Sequence, residues 1–288
     1  MKIGIITDSS TGFSLEEMKK YPELTVVPLI ISDPKGIVYE DDNQEIDSDS
    51  IFQKMIKEHA HLKTSQTNRA VLAQYWEQAL TKYDKILFLP IADNASGQYK
   101  SAMVLQTEDN FKDKVHVLET GAAMMPLKYM SLIALKLAKE QKSIDDILSA
   151  LTEFRKNYEC FIAPNDLKFL SRGGRLPKTK ALMGNILKFK PILKCKEQII
   201  MAKTVRTLSG AMDKILETIV NIKNATKETI YIIDGWCDKK VLEIAISKVQ
   251  QLGFTKYKIE PLCNILKTHT GNNTIGFTLL PNQWITEV

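Results

Sequence analysis

Three short polar segments carry the side chains of this sequence that could hold an anion without a metal: Thr7-Asp8-Ser9-Ser10-Thr11, Lys63-Thr64-Ser65-Gln66-Thr67-Asn68 and Ala92-Asp93-Asn94-Ala95-Ser96-Gly97-Gln98. Hydroxyls and backbone N–H groups in such turns donate to a carboxylate or phosphate, and a helix beginning there adds its positive end. The same residue types also cap helices wherever a chain turns into one. The elements around them therefore decide what they can do.

The third segment follows an apolar run at 86–91 that reads as a buried strand, and it precedes a helical pattern through Tyr99, Met103 and Val104. The first follows a strand at 2–8, after which Ser14-Leu15-Glu16-Glu17 has the form of a capping box. A β-branched run at 24–32 reads as a second strand, residues 33–36 as a turn and 49–59 as a helix. The middle segment leads into a helix whose apolar face is Val71, Leu72, Tyr75, Trp76 and Ala79. A strand at 114–118 and helices at 124–140 and 143–157 complete this half. Alternation of strand and helix implies a largely parallel sheet covered on both faces, with ligands beyond the carboxyl ends of its strands.

The second half changes character. A short strand at 160–164 leads to a helix at 167–176 whose paired glycines, Gly173 and Gly174, fit a left-handed cap. A helix at 177–187 and a hairpin of strands at 190–195 and 198–205 follow. Beyond a helix around Met212 to Val220 come a strand at 229–234, a helix at 238–252, a strand at 256–262, a turn at 268–273 and a strand at 274–280. The expectation is an α/β chain of two domains, 1–157 with a largely parallel sheet flanked by helices and 158–288 with an antiparallel or mixed sheet.

Composition bounds the function. With 288 residues, 44% hydrophobic and 25% charged, the chain has the balance of an ordinary globular protein. Cys160, Cys195, Cys237 and Cys263 form no C-x-x-C pair, so neither a zinc site nor a disulfide framework is signalled, and they are expected reduced and mostly buried. No run approaches the roughly 20 apolar residues of a membrane span, and the N-terminal run is too short for a signal peptide, so the expected location is cytoplasmic. The net charge of +5 is uneven: between Asn165 and Lys203 ten basic residues face Asp166 and Glu197, leaving that segment at +8 and the remainder at −3. Such a surface points either to an anionic partner or to a solvated helix face.

Taken in order, Thr-Asp-Ser-Ser (7–10), Lys-Thr-Ser-Gln (63–66), Ser-Gly-Gln-Tyr-Lys-Ser-Ala (96–102), Leu-Lys-Phe-Leu-Ser-Arg-Gly-Gly-Arg-Leu (167–176), Lys-Pro-Ile-Leu (190–193), Val-Arg-Thr (205–207) and Thr-His-Thr-Gly (268–271) resemble the DegV family across essentially the whole chain. The resemblance implies a two-domain α/β protein that binds one long-chain fatty acid in an apolar tunnel, with no further cofactor and no metal. Its carboxylate would lie near the domain interface, presented to the separate catalytic subunit of a fatty acid kinase that makes an acyl phosphate. It implies carboxylate ligands at Thr64 with Ser65 and at Ser96 with Gly97, a charged pair at Arg206 and His269 near the headgroup, and kinase contact through Arg172 and Arg175. Membrane contact would be at most transient. Departures from the family pattern gather in the same region: Asp93-Asn94 before Ser96, Thr67-Asn68, Glu119-Thr120 and Asn272-Asn273.

Two other classes of function stand beside this one. A serine-dependent acyl hydrolase could use Ser96, His269 and Asp93, although G-x-S-x-G is absent, as are the P-loop and dinucleotide fingerprints. A carrier of a different lipid or anionic ligand would use the same hydroxyls. The basic segment interleaves few aromatics beyond Phe169 and Phe189, so no nucleic-acid partner is expected.

Overall fold

A computed structural model describes residues 1–42, 46–175 and 189–285. The expected helix at 177–187, with Lys178 and Lys180, and Lys188 beyond it lie outside the described residues. The chain opens with β1 (Ile3–Asp8), α1 (Leu15–Lys20), β2 (Leu24–Val27), β3 (Ile30–Ser32), β4 (Val38–Glu40), α2 (Ser48–Phe52) and β5 (Lys63–Ser65). It continues through α3 (Arg69–Leu80), β6 (Lys85–Leu89), α4 (Gln98–Leu105), β7 (Val115–Val117), α5 (Met124–Lys139) and α6 (Ile144–Asn157). The remainder comprises β8 (Glu159–Ala163), α7 (Leu167–Arg172), β9 (Lys190–Lys196), β10 (Gln198–Val205), α8 (Leu208–Val220), β11 (Thr229–Gly235), α9 (Lys239–Gln251), β12 (Tyr257–Pro261), α10 (Asn264–Thr270), β13 (Thr274–Leu280) and α11 (Asn282–Ile285).

The architecture is the expected mixed α/β arrangement. Among the described residues, a parallel sheet runs β2-β1-β6-β7, and a six-stranded mixed sheet runs β10-β9-β8-β13-β11-β12. Capping boxes open α1 at Ser14/Glu17 and α6 at Ser143/Asp146, so local chemistry sets both starts. The run at 24–32 is not one strand. It breaks at Pro28, which has no N–H to give a ladder, and β3 turns away to form a small antiparallel sheet, β4-β3-β5. The middle polar segment thereby becomes an edge strand rather than a simple lead-in to α3. The residues expected as a turn at 268–273 begin instead as the last turn of α10, which ends at Gly271.

The buried α5 packs on β1 and β6 and also reaches β13. Around it one apolar core runs from Ile5 and Leu87 through Leu127, Met130 and Ile133 to Ile162, Leu193 and Tyr231. Met124 and Met125 belong to this core. No helix among the described residues is long and apolar enough to cross a membrane.

Candidate functional site: a cavity between the sheets

A cavity enclosing about 680 Å³, part of it open to solvent, lies where the three sheets approach one another. Its walls are apolar: Leu29 and Ile91 come from the loops after β2 and β6, Ile162, Leu193 and Ile199 from β8, β9 and β10, Leu170 from α7, and Ile265 and Leu266 from α10. Its polar lining is Thr64, Ser65, Asn94, Ser96, Arg175, His269 and Thr270.

The middle and third polar segments meet here. Thr67 N joins them by donating to Gln98 Oε1 at 3.0 Å, and Gln66 donates to Ser101 Oγ of α4 at 2.6 Å. Gly97 lies beside the Gln66 amide, where a side chain would collide. Ser96 Oγ accepts from Gln98 N, at the first residue of α4, at 3.3 Å as well as lining the cavity; the N-cap position itself is Gly97. The first segment does something different: its polar groups are spent internally. Thr7 Oγ1 donates to Leu89 O at 2.8 Å, Ser9 Oγ accepts from Leu29 N at 3.1 Å, and Asp8 accepts from Ile91 N at 2.7 Å. Leu29 and Ile91 are wall residues, so this segment holds the wall rather than the ligand.

Thr64 Oγ1 and His269 Nε2 are 2.6 Å apart, linking β5 to the end of α10 across 205 residues of sequence. Burial pushes the His269 imidazole down to about 3, helped by the positive charge of Arg175, so the ring is neutral near pH 7. A neutral imidazole has one N–H. When Nε2 carries it, His269 donates to Thr64 Oγ1 and leaves the threonine hydrogen free to be donated into the cavity. The paired glycines also serve this ring. A side chain on Gly173 would overlap His269 Nδ1, whereas Gly174, at φ +69, takes the left-handed position that ends α7. Arg175 Nη1 donates to Gly173 O at 2.7 Å, which holds the guanidinium beside the cavity.

Of the expected site residues, Thr64, Ser65, Ser96, Arg175 and His269 line the cavity, whereas Gly97 is not among the lining residues and packs against Gln66. Arg206 is exposed past the end of β10 and is not among the lining residues; Arg172 is exposed on α7. The two departing side chains point in different directions. Asp93 pairs with Lys100 at 3.0 Å, whereas Asn94 enters the lining. With His269 on Thr64 and Asp93 on Lys100, no base hydrogen-bonds Ser96 among the described residues, so the elements of a hydrolytic triad are not assembled. No cluster of three or more metal-ligating side chains occurs among the described residues. Arg175 and Asn94 as cavity residues were not legible from spacing. Both contacts depend on long-range packing, and a doubled glycine reads first as a cap.

Below the wall, two buried carboxylates carry unusual protonation. Burial pushes Asp8 up to about 6 against hydrogen bonds from Ser10 and Ile91 that lower it, and burial likewise raises Asp41 to about 6 against bonds from Ser9 and Asn264. Because the folded values exceed the ordinary 3.8, these groups add stability that is complete below about pH 4 and is lost as pH rises through 6. Urea midpoints of the parent and Asp41→Asn should therefore diverge between pH 7 and 5. The parent should gain about 1 kcal/mol relative to the variant, and parallel profiles would contradict the assignment.

The family model described as "Uncharacterised protein, DegV family" matches residues 2–282. The chain belongs to the DegV family. Among curated DegV-family relatives, the DegV domain-containing protein YqaC of Lactococcus lactis is 29% identical over 98% of this chain and 100% of its own length. A DegV-family protein of Thermus thermophilus, solved in a study of its fatty acid binding, is 28% identical, with a TM-score of 0.83 over 98% of this chain and 100% of its own. The Fatty Acid Kinase (Fak) B3 protein of Streptococcus pneumoniae, solved with linoleic acid, shares the DegV fold at a TM-score of 0.77 over 98% of this chain and 100% of its own, and 17% identity.

Proposed function

We propose that this chain is a non-catalytic carrier of one long-chain fatty acid, with the carboxylate at Thr64, Ser65, Ser96, His269 and Arg175 and the acyl chain along the apolar walls. The observation that carries this reading is a hydroxyl held by a buried neutral imidazole, with a guanidinium alongside, in an otherwise apolar cavity. Donated hydrogen bonds and a cation keep a carboxylate ionised in a partly dry site. Each buried methylene adds about 0.8 kcal/mol, so the walls supply most of the affinity. The fatty acid binding of the Thermus thermophilus relative supports the choice of ligand.

The same proposal places the chain in the cytoplasm as the acyl-presenting partner of a separate kinase that makes an acyl phosphate. Arg172 and Arg175, on the exposed Gly-Gly segment, form the face that meets it. It also divides the chain at residue 157, since β8 begins the mixed sheet just beyond. Mass spectrometry of an organic extract of the purified protein tests the ligand. A fatty acid of about one equivalent is expected, or stoichiometric uptake when one is offered to protein stripped of lipid. Neither being seen would overturn the proposal.

A further inference from the structure

We infer that Asn94 is a positioning residue whose side-chain amide latches the edge strand β10 against the cavity, and that release of this latch governs passage of the acyl chain. The inference rests on the proposed fatty acid ligand. Asn94 Nδ2 donates to Ile199 O at 3.0 Å, and Asn94 Oδ1 accepts from Ile199 N at 3.1 Å. The amide thus makes both hydrogen bonds that a neighbouring strand would make to one residue of an antiparallel ladder. Among the described residues β10 pairs only with β9 and ends the sheet on that side, so the amide meets an edge to which no other described strand is paired. Both Asn94 and Ile199 line the cavity, so parting them moves a wall residue.

Neighbouring contacts hold the turn of the hairpin and leave Ile199, on the edge, to the Asn94 amide. The turn of the β9–β10 hairpin is seated on Gly121, at φ +60, where a Cβ would lie 2.7 Å from Glu197 Cα. Lys196 Nζ adds bonds to Lys156 O at 3.0 Å and Glu159 Oε1 at 2.8 Å. The turn is therefore anchored, while the ladder with β9 shifts register between Met201 and Lys203. At Ile199 the edge is held by an exposed amide, and water can replace its two bonds as they open. An aspartate at this position could accept from Ile199 N but would repel Ile199 O, so amide chemistry is specifically required.

Stopped-flow loading and release of a fluorescent long-chain fatty acid analogue by the full chain test the latch, alongside hydrogen exchange of the Ile199 amide in lipid-free protein. In Asn94→Ala, loading and release should both accelerate about tenfold, with equilibrium affinity nearly unchanged, as expected for loss of two solvent-reached bonds of about 0.5–1 kcal/mol each. Asn94→Asp should behave alike at neutral pH and return towards the parent in acid, where a protonated carboxyl can again donate to Ile199 O. Ile199 exchange should rise by a similar factor. Unchanged rates in Asn94→Ala, or weaker affinity with unaltered loading, would overturn the latch; the second pattern would make Asn94 a headgroup ligand. A parent that takes up no analogue retracts the acyl reading and the acyl gate with it, while faster Ile199 exchange in Asn94→Ala would still establish the clamp itself.

Discussion

Replacing Gly271 by alanine should lower the stability of the chain by about 3–5 kcal/mol, from backbone strain and overpacking together. Gly271 closes α10 at φ 70 and ψ −168, a region that only glycine enters readily, and donates its N–H to Lys267 O at 2.9 Å. An added Cβ would also overlap the ring of Phe169 on α7. Thermal unfolding should show a fall in midpoint of about 10 °C for a chain of this length. Gly36→Ala is the control: it also has a positive φ, of +84, but a Cβ there would meet no described residue within 4 Å, so only strain is expected. Shortening the ring with Phe169→Leu should restore part of the loss in Gly271→Ala but leave Gly36→Ala untouched. Equal losses at the two glycines would remove the packing argument. Because α10 carries His269, the same close approach of α7 and α10 sets where the imidazole stands.

What the sequence revealed and what it hid follow from range. Strands and helices with local signals were legible: the capping boxes at Ser14 and Ser143, the alternation up to Asn157, and the hairpin at Lys190 to Val205. The run at 24–32 misled because β-branched residues continue through Pro28, and only pairing partners reveal that β2 and β3 belong to different sheets. The end of α10 reads as a turn in the sequence because Thr268, His269 and Thr270 are polar. In the fold all three are buried, and both threonines bond back to carbonyls four residues earlier. Thr64, Ser96 and His269 stood out through their motifs, but the Thr64–His269 bond spans 205 residues and no local pattern announces it. The roles of Gly173 and Asn94 are likewise properties of what packs against them.

Thr64→Val tests the headgroup end while keeping the side-chain shape. The proposed carboxylate loses a donor, and a hydrogen bond to a charged group is worth about 1.5–3 kcal/mol, so affinity for a fatty acid should fall roughly 10- to 100-fold. His269 Nε2 also loses its partner, which adds a stability cost, since the ring is buried and its Nδ1 has no hydrogen-bond partner among the described residues. Thr64→Ser keeps the hydroxyl and should retain most of the affinity. Chain length separates this effect from damage to the walls. Across a homologous series of saturated acids, binding should strengthen by up to about 0.8 kcal/mol per methylene until the cavity is filled. If Thr64 holds the carboxylate, parent and Thr64→Val should give parallel lines offset by a constant amount. A change in slope would mean that the substitution acts on the acyl walls, and lines that coincide would mean that the carboxylate lies elsewhere. An offset of the same size for Ser96→Ala would place both hydroxyls on one headgroup. A smaller one would leave Ser96 chiefly as an acceptor for the first N–H of α4, the role its bond to Gln98 already gives it.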